Sequence, residues 1–203
     1  DIGGATTGVA VFEEGDLQYV GIIPIGGANI TNDLAIGLKA DPELAEKVKV
    51  THAVAVSRKE NEGVSVKHGG EVMSFSTQDI DEIVEARLEE LFEAVQKELK
   101  KAGRAGQLPS GVVLTGGGAK LKGIAEYAKE QLGLAVRVGK PGGFGGVADQ
   151  IEEPQFATAV GLMLVDVDDA NVRQPTTGKR INGAKAVKQA SGILSKLLSR
   201  FKA

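Results

Sequence analysis

The sequence predicts a mixed α/β fold: a mixed sheet flanked by helices, with a small inserted α+β subdomain and a C-terminal amphipathic helix. Three observations predict it. Apolar, strand-like residues run into consecutive glycines at residues 1–8 and again at residues 112–118. Segments with helical periodicity separate and follow these two turns. From about residue 167 the chain becomes polar and basic, and the periodicity that builds a core stops.

The first 38 residues have the pattern of a hairpin followed by a short helix. We predict strands at Thr7–Phe12 and Leu17–Ile25, on either side of an acidic turn that contains glycine. The glycine pair at residues 26–27 is expected to end the second strand. Thr31 is then the predicted N-cap of a helix that buries the apolar residues after it.

The next segment combines helices with a second hairpin. Asp41 is the predicted N-cap of a helix that starts at Pro42 and runs to about Val50. Short strands are expected between residues 64 and 76. The clearest helix of the chain follows, with Ser76 or Thr77 as its predicted N-cap, and stops at Gly103. Its apolar positions keep a helical period: Ile80, Ile83, Val84, Leu88, Leu91, Val95 and Leu99.

The pattern divides the chain into four predicted parts. Residues 1–38 and 108–166 form a large subdomain, in which a buried strand, a glycine turn, a helix, a further strand and a last helix follow one another. Residues 39–107 form the inserted small subdomain. Residues 167–190, with Pro, Gly and Asn, are predicted to be a flexible linker, and residues 191–203 an amphipathic helix.

Composition excludes several kinds of site. The 203 residues, 42% of them hydrophobic, are enough to bury a core. There is no cysteine, which excludes disulfides, a thiolate nucleophile and a cysteine-based metal site, and the two histidines are far apart. Aromatic residues make up 4% and tryptophan is absent, so a stacking platform for single-stranded nucleic acid is not expected.

Charge is divided unevenly along the chain. Residues 1–169 carry 16 basic and 27 acidic groups, a balance of −11, whereas residues 170–203 carry 8 basic groups and no acid, a balance of +8. Such a division is typical of an acidic body with a cationic tail that binds a negative partner. We predict no nucleic-acid partner for the body, which would repel a polyanion.

The last residues have the pattern of a membrane-surface helix. With helical spacing, one side is apolar and the other is basic and polar. Basic residues near an anionic lipid surface contribute about 1 kcal/mol each. We therefore predict that this helix binds an anionic membrane through Ile193, Leu194, Leu197, Leu198, Phe201, Lys196, Arg200 and Lys202.

The two glycine turns, "DIGGATT" and "LTGGGAKLKG", have the same design. Glycine permits positive φ and lets the backbone N–H groups approach a phosphate or sugar without an intervening Cβ. The second turn leads into a helix N-terminus, which favours an anion. Neither turn has the spacing of a Walker A loop or of a dinucleotide fingerprint. Each alone is equally compatible with an ordinary tight turn of an α/β sheet.

Taken in order, the motifs are more specific. "DIGGATT", "IPIGGANITNDLAIGL", "LAEKVKV", "VVLTGGGAKLKGI", "VRVGKP" and "PQFATAVGL" succeed one another along the chain. In this the chain resembles the actin-like ATPases of the Hsp70, actin and sugar-kinase superfamily, and among them the FtsA family of bacterial cell-division proteins. The resemblance covers essentially the whole chain. It implies the second half of an actin-like (ribonuclease H-like) fold, and we expect the chain to be the C-terminal half of a longer protein.

The resemblance also implies a nucleotide site for ATP and magnesium. Asp1 matches the magnesium-side carboxylate, which would hold Mg²⁺ through water. Glu46 and Lys49 match a pair that contacts the ribose; three residues apart on a helix, they share one face. The implied nucleotide-binding residues are Asp1, Gly3, Gly4, Thr6, Thr7, Glu46, Lys49, Gly116, Gly117, Gly118 and Ala119.

Two positions depart from the family pattern. Where many relatives have a third glycine and a later aspartate in the first turn, this chain has Ala5 and Gly8. We interpret the difference as a cleft that holds ATP more than it splits it. At most a weak ATPase is expected.

For function, the resemblance implies an actin-like adaptor that anchors FtsZ filaments to the membrane and polymerises itself. Arg87 and Glu90 match positions implicated in contact with the C-terminal peptide of FtsZ. The expected location is the cytoplasmic face of the bacterial cell (inner) membrane at the division septum. The alternatives are another actin-like scaffold of the PilM or MreB type, or a phosphotransferase such as a sugar or acetate kinase. The basic tail distinguishes the first reading from a kinase.

Overall fold

The computed structural model describes residues 1–142 and 151–172. Two antiparallel hairpins, a parallel strand pair and five helices make up this part of the chain, with two short 3₁₀ turns at Gly117–Lys120 and Pro154–Phe156. In chain order the elements are β1 (Thr7–Glu13), β2 (Asp16–Ile23), α1 (Gly27–Gly37), α2 (Pro42–His52), β3 (Gly63–His68), β4 (Glu71–Ser76), α3 (Thr77–Lys101), β5 (Val112–Leu114), α4 (Ile124–Leu132), β6 (Val136–Val138) and α5 (Ala157–Val172).

The residue Ile2 links two of the strand pairs. β1 pairs with β2 in an antiparallel register, and β5 pairs with β6 in a parallel one. Ile2 forms an antiparallel bridge with Thr7 at the start of β1, and its N–H donates to the carbonyl of Thr115 after β5 at 2.8 Å. The β1–β2 hairpin therefore lies beside the β5–β6 pair at the first glycine turn, and the described strands form three two-stranded sheets, two of them antiparallel and one parallel.

Helix α3 organises the core. It packs against α1, against α4 and against the strands of both hairpins. Its predicted apolar period is confirmed: five of the seven positions are buried, and Ile83 and Val95 are partly buried against the core. The ring of Phe92 lies 5.8 Å from that of Tyr127, which fixes α3 against α4. The most deeply buried large apolar side chains are Phe92, Leu34, Leu44, Ile80, Leu88, Val48 and Val84.

The caps of α2 and α3 are where the sequence predicts them. Asp41 Oδ1 accepts the N–H groups of Glu43 and Leu44, both at 3.0 Å, and Pro42 takes the first helical position. The Ser76 hydroxyl accepts from the first turn of α3. After α3, Gly103 adopts a φ of 68°, a conformation that glycine enters without a Cβ clash.

The start of α1 differs from the prediction. The helix begins at Gly27, so Thr31 lies in its second turn and is not the N-cap. The N–H groups of Gly27 and Ala28 donate to the carbonyls of Gly3 and Gly4, at 2.9 and 2.8 Å. Because the first glycine turn satisfies these donors, the helix needs no side-chain cap. The second strand ends at Ile23, before the glycine pair, so the pair belongs to the start of α1 and does not end the strand.

The division of the chain into a large and an inserted small subdomain stays a prediction. The observed elements can be assigned to its parts. α2, the β3–β4 hairpin and α3 lie within residues 39–107. α5 includes residues 167–172, which the sequence analysis assigned to the linker. The rest of the predicted linker and the amphipathic helix at 191–203 lie outside the described residues.

Candidate functional site

Glycine-rich segments from three parts of the chain meet at one cavity. Gly3 and Gly4 accept hydrogen bonds from the start of α1, as described above, and Gly118 donates its N–H to the Ile2 carbonyl at 2.8 Å. The cavity beside them has a volume of about 980 Å³. Its lining includes Arg87, which was predicted to bind a partner, and six of the predicted nucleotide-binding residues: Gly3, Gly4, Glu46, Lys49, Gly117 and Gly118.

Some of these glycines are required by packing between the segments. A Cβ on Gly118 would lie 2.2 Å from Ile2 Cγ2, and one on Gly116 would lie 2.5 Å from the Ile2 carbonyl oxygen. A Cβ on Gly26 would lie 2.5 Å from the Gly4 carbonyl oxygen. Real side chains do not approach so closely, so these three positions let the backbones of neighbouring segments touch.

Gly4 and Gly117 are different, because neither is explained by a neighbour. A Cβ on either would meet no atom within 4 Å, and both residues line the cavity. Neither has a positive φ that would itself demand glycine. Both positions therefore leave room for a ligand to approach the backbone.

A compact polar cluster lies on the α1–α2 side of the cavity. Lys49 Nζ donates to Glu46 Oε2 at 2.6 Å, to Thr31 Oγ1 at 2.8 Å and to the Gly27 carbonyl at 3.0 Å. Thr31, which is buried, donates its hydroxyl to Glu46 Oε2 at 2.5 Å. One carboxylate oxygen of Glu46 thus receives both bonds from its neighbours.

The cluster keeps Glu46 ionised. Burial acts to raise the pKa of Glu46, but the hydrogen bonds from Lys49 and Thr31 and the charge of Lys49 outweigh it, so the pKa lies below its usual value. A carboxylate held in the charged form accepts hydrogen bonds strongly. It is suited to a ligand that presents hydroxyl donors.

Asp1 stands at the other end of the first turn, and its carboxylate already has a protein partner. Thr158, in the first turn of α5, donates its hydroxyl to Asp1 Oδ2 at 2.5 Å. The described residues contain no group of three or more His, Asp or Glu side chains that could hold a metal ion. A single carboxylate fits a Mg²⁺ that keeps its water and is held mainly by phosphates, and does not fit a site built from protein ligands alone.

The remaining predicted nucleotide residues lie beside the cavity in different settings. Thr6 is exposed in the first turn. Thr7 is buried, and its hydroxyl donates to the Ile25 carbonyl at 2.8 Å, so it joins β1 to the segment between β2 and α1. Ala119 is also buried. In the structure, Thr7 and Ala119 therefore pack around the site.

Arg87 and Glu90, the predicted partner-binding residues, lie together on α3. Arg87 donates Nε and Nη2 to the two carboxylate oxygens of Asp33 on α1, at 2.6 and 2.9 Å, and Nη1 to Glu90. The hydrogen bonds that Arg87 donates to Asp33 raise the pKa of Arg87 more than burial lowers it. The Arg87 side chain is 23% exposed and that of Glu90 56%, so Glu90 offers the more accessible group.

Sequence reasoning missed four contributors to this region: Gly26, Gly27, Thr31 and Asp33. The glycine pair and the threonine stand in one motif, "IPIGGANIT", and were interpreted as the end of a strand and a helix cap. The spacing of Gly27 and Thr31, four residues apart, was the available signal that both lie on one helical face. The contact of Asp33 with Arg87 joins distant segments and leaves no local signal.

The predicted membrane residues, from Ile193 to Lys202, lie outside the described residues. Among the helices that the structure describes, none has the length and apolar character to cross a membrane.

Comparison with known sequences gives one consistent result. The family model for cell division protein FtsA matches residues 1–161. The chain is 38% identical over 168 residues to cell division protein FtsA of Pseudomonas aeruginosa, covering 81% of the chain and 40% of that relative. It is 39% identical over 177 residues to FtsA of Bacillus subtilis (85% and 39% covered), and 36% over 207 residues to FtsA of Neisseria meningitidis (99% and 49% covered). The chain thus spans less than half the length of these relatives.

Solved structures with a similar fold include MreB5 of Spiroplasma citri bound to ADP, at a TM-score of 0.67 and 17% identity, covering 86% of the chain and 54% of that protein. Another is the PilM–PilN type IV pilus biogenesis complex, at 0.62 and 23% identity, with 81% and 44% covered. The ethanolamine utilization protein EutJ of Carboxydothermus hydrogenoformans gives 0.55 at 27% identity, with 81% and 47% covered. The predicted actin-like fold is confirmed by these neighbours.

Proposed function

The chain belongs to the FtsA family of cell division proteins, and we propose that it is the nucleotide-binding, membrane-tethering half of an actin-like adaptor that anchors FtsZ filaments. One observation carries the proposal. The two glycine turns and the Glu46–Lys49 pair, which the family resemblance assigns to ATP, line a single cavity together with the Gly26–Gly27 pair.

The proposed ligand is ATP with Mg²⁺. Gly4 and Gly117 would admit the nucleotide to the backbone, because nothing in the protein occupies the space beside them. Glu46 and Lys49 would lie at the ribose. Asp1 would be on the side of the magnesium ion, which supplies charge neutralisation to the phosphates when bound. The ADP bound to the structurally similar MreB5 supports this choice.

We propose that the nucleotide acts as a conformational ligand, so that binding matters more than turnover. The departures at Ala5 and Gly8 support this. A Cβ at position 8 would be 4.0 Å from Asp1 Cβ, so an aspartate there would add a second carboxylate beside Asp1, and Gly8 does not supply it. Bound nucleotide would set the angle between this half and residues outside the chain.

For the partner, we propose the C-terminal peptide of FtsZ at the α3 surface that carries Arg87 and Glu90. The exposed Glu90 would make the direct contact, and Arg87, held by Asp33, would fix its position. Self-polymerisation is proposed from family membership and from the filament-forming neighbour MamK, with a TM-score of 0.62.

The tail would bind the cytoplasmic face of the cell membrane at the septum. Residues 191–203 have an apolar side with Leu197 and Phe201 and a basic side, and the 34 residues from 170 to 203 lack any acid. A small apolar face gives weak binding per molecule, which assembly of several tails would strengthen.

The central test is calorimetric titration of the protein, expressed from its complete reading frame, with ATP and Mg²⁺. We expect binding, and expect Lys49→Ala to weaken it because the variant removes the cation that orders Glu46. The exposed Lys97→Ala on α3 serves as a matched control, since it pairs with Glu93 at 3.7 Å outside the cavity lining. Absence of ATP binding by the parent protein would refute the nucleotide assignment.

Two further measurements separate the alternatives. Capture of the protein on an immobilised FtsZ C-terminal peptide distinguishes this adaptor from PilM-type or MreB-type scaffolds and from kinases; no capture counts against the proposal. Sedimentation with anionic liposomes tests the tether. The Leu197→Glu, Phe201→Glu protein should remain in the supernatant, and its sedimentation with vesicles as efficiently as the parent would contradict membrane binding.

A further inference from the structure

All the hydrogen bonds of Lys49 are made within the polar cluster. An ammonium group has three N–H donors. All three are directed at atoms of the protein: Glu46 Oε2, Thr31 Oγ1 and the Gly27 carbonyl, at 2.6, 2.8 and 3.0 Å. The Lys49 side chain is also only 17% exposed. In this arrangement Lys49 holds its neighbours and has no donor directed at the cavity.

Glu46 is anchored through one oxygen. Both the Lys49 ammonium and the Thr31 hydroxyl point to Oε2, and neither of these bonds uses Oε1. The Glu46 side chain is 49% exposed and the residue lines the cavity. A carboxylate fixed at one oxygen presents the other as an acceptor of set position and full charge.

The buried Thr31 lies where its hydroxyl can orient the Glu46 carboxylate. Its single hydroxyl proton has two acceptors in reach, Glu46 Oε2 at 2.5 Å and the Gly27 carbonyl at 3.2 Å, and the shorter contact is to Glu46. At the same time its oxygen accepts from Lys49. Thr31 therefore connects α1 to both members of the pair on α2, and without it Glu46 keeps one of its two anchors.

We propose that Thr31 is a positioning residue which, together with Lys49, holds Glu46 so that Glu46 alone accepts a hydrogen bond from the ribose hydroxyls of the nucleotide. The inference rests on the proposed nucleotide-binding function. What it adds is the role of Thr31, which holds one oxygen of Glu46 and so sets the position of the other.

The test compares ADP with 2′,3′-dideoxy-ADP on the protein expressed from its complete reading frame. The parent should prefer ADP by roughly tenfold or more, the effect of one hydrogen bond to a charged group. Thr31→Val, close in shape but without the hydroxyl, should lose most of this preference by binding ADP more weakly, with dideoxy-ADP affinity within about twofold of the parent. Thr31→Ser should keep the preference.

A second readout needs no nucleotide. In a carboxyl-detected NMR titration, the pKa of Glu46 should rise in Thr31→Val and stay near the parent's value in Thr31→Ser, because the Thr31 hydrogen bond is one of the contacts that lower it. If Thr31→Val does not fold, Thr31→Ala is a second variant without the hydroxyl and without a branched side chain that must fit the site.

The outcomes separate the two levels of proposal. A parent that binds ADP, with a Thr31→Val variant that keeps the ribose preference or weakens both nucleotides equally, overturns the role of Thr31 and leaves the nucleotide site standing. A Glu46 pKa that is the same in both proteins also overturns it. A parent that binds neither nucleotide overturns the proposed function and this inference with it.

Discussion

The glycines of the site are required for different physical reasons, although they all lie in similar turns. Gly26, Gly116 and Gly118 let segments of backbone touch, since an added Cβ would overlap atoms of the first glycine turn. Gly4 and Gly117 face open space in the cavity. The first group should matter for folding and the second for a ligand.

Substitution of neighbouring glycines in the second turn tests this difference. Gly118→Ala should lower the free energy of unfolding by about 1–3 kcal/mol, because the new methyl group would lie against Ile2 and force a shift in a packed region. Gly117→Ala should leave the free energy of unfolding nearly unchanged and weaken ADP binding. Urea unfolding and nucleotide titration of both proteins are the measurements, and equal destabilisation of the two would contradict the assignment.

At this scale the sequence predicted where the glycines cluster but not which of them does what. The two turns are visible because consecutive glycines follow apolar strands. The close contact of Gly118 with Ile2, however, joins residues that are more than 100 positions apart in the sequence. The same holds for Thr31, whose partners lie on another helix and are invisible to local pattern.

Among the elements, α1 and α3 are joined by the bidentate pair of Asp33 and Arg87. Their side chains are 27% and 23% exposed, so the charges are partly screened. Arg87→Gln should lower the free energy of unfolding by about 1–2 kcal/mol. This lies between the contribution of an exposed ion pair and that of a buried hydrogen bond to a charged group. Chemical denaturation measures it.

Glu90→Gln is the matched control on the same helix. Because Glu90 is more than half exposed, the change in unfolding free energy should stay within about 0.5 kcal/mol. Loss of FtsZ-peptide capture by this stable variant would support a direct contact there. Equal destabilisation by both substitutions would show that the Asp33–Arg87 pair does not hold the helices together.

The cap of α2 makes stability depend on pH. The hydrogen bond from the Leu44 N–H lowers the pKa of Asp41 most; burial opposes it, and the charge of His68 and the Glu43 N–H lower it further. A depressed pKa means stabilisation that is complete above the unfolded value of 3.8 and is lost as pH falls through the lower folded value.

Asp41→Asn isolates this contribution, because asparagine also caps helices and does not titrate. The melting temperature of the parent should fall more steeply than that of Asp41→Asn as the solution is acidified below the unfolded pKa. Other carboxylates affect both proteins alike. Parallel curves for the two proteins would refute the titrating cap.

Elements whose ends are fixed by their own residues were predicted well, as α2 and α3 show. Asp41 and Ser76 cap through side chains within three residues. The start of α1 was not predictable in the same way. Its first N–H groups find carbonyls of the first glycine turn, so its boundary depends on tertiary contacts.

For the whole molecule, the cavity is assembled from the beginning, middle and end of the described chain, and the relatives continue well beyond the matched region. The chain spans 40% of the Pseudomonas aeruginosa relative and 49% of the Neisseria meningitidis one. In an actin-like arrangement the nucleotide lies between two halves, so each half would supply part of the binding free energy.

We therefore predict that residues 1–203 alone bind ATP and Mg²⁺ more weakly than the protein expressed from its complete reading frame. Titration calorimetry of both samples is the measurement, with circular dichroism to show that the shorter sample is folded. The same two samples carrying Lys49→Ala serve as controls. Only the heat of binding in the cavity should change with this substitution, so it separates specific binding from other sources of heat. Equal affinity of the two samples would contradict the prediction, because it would mean that Gly4, Gly117 and the Glu46–Lys49 pair suffice without a second half.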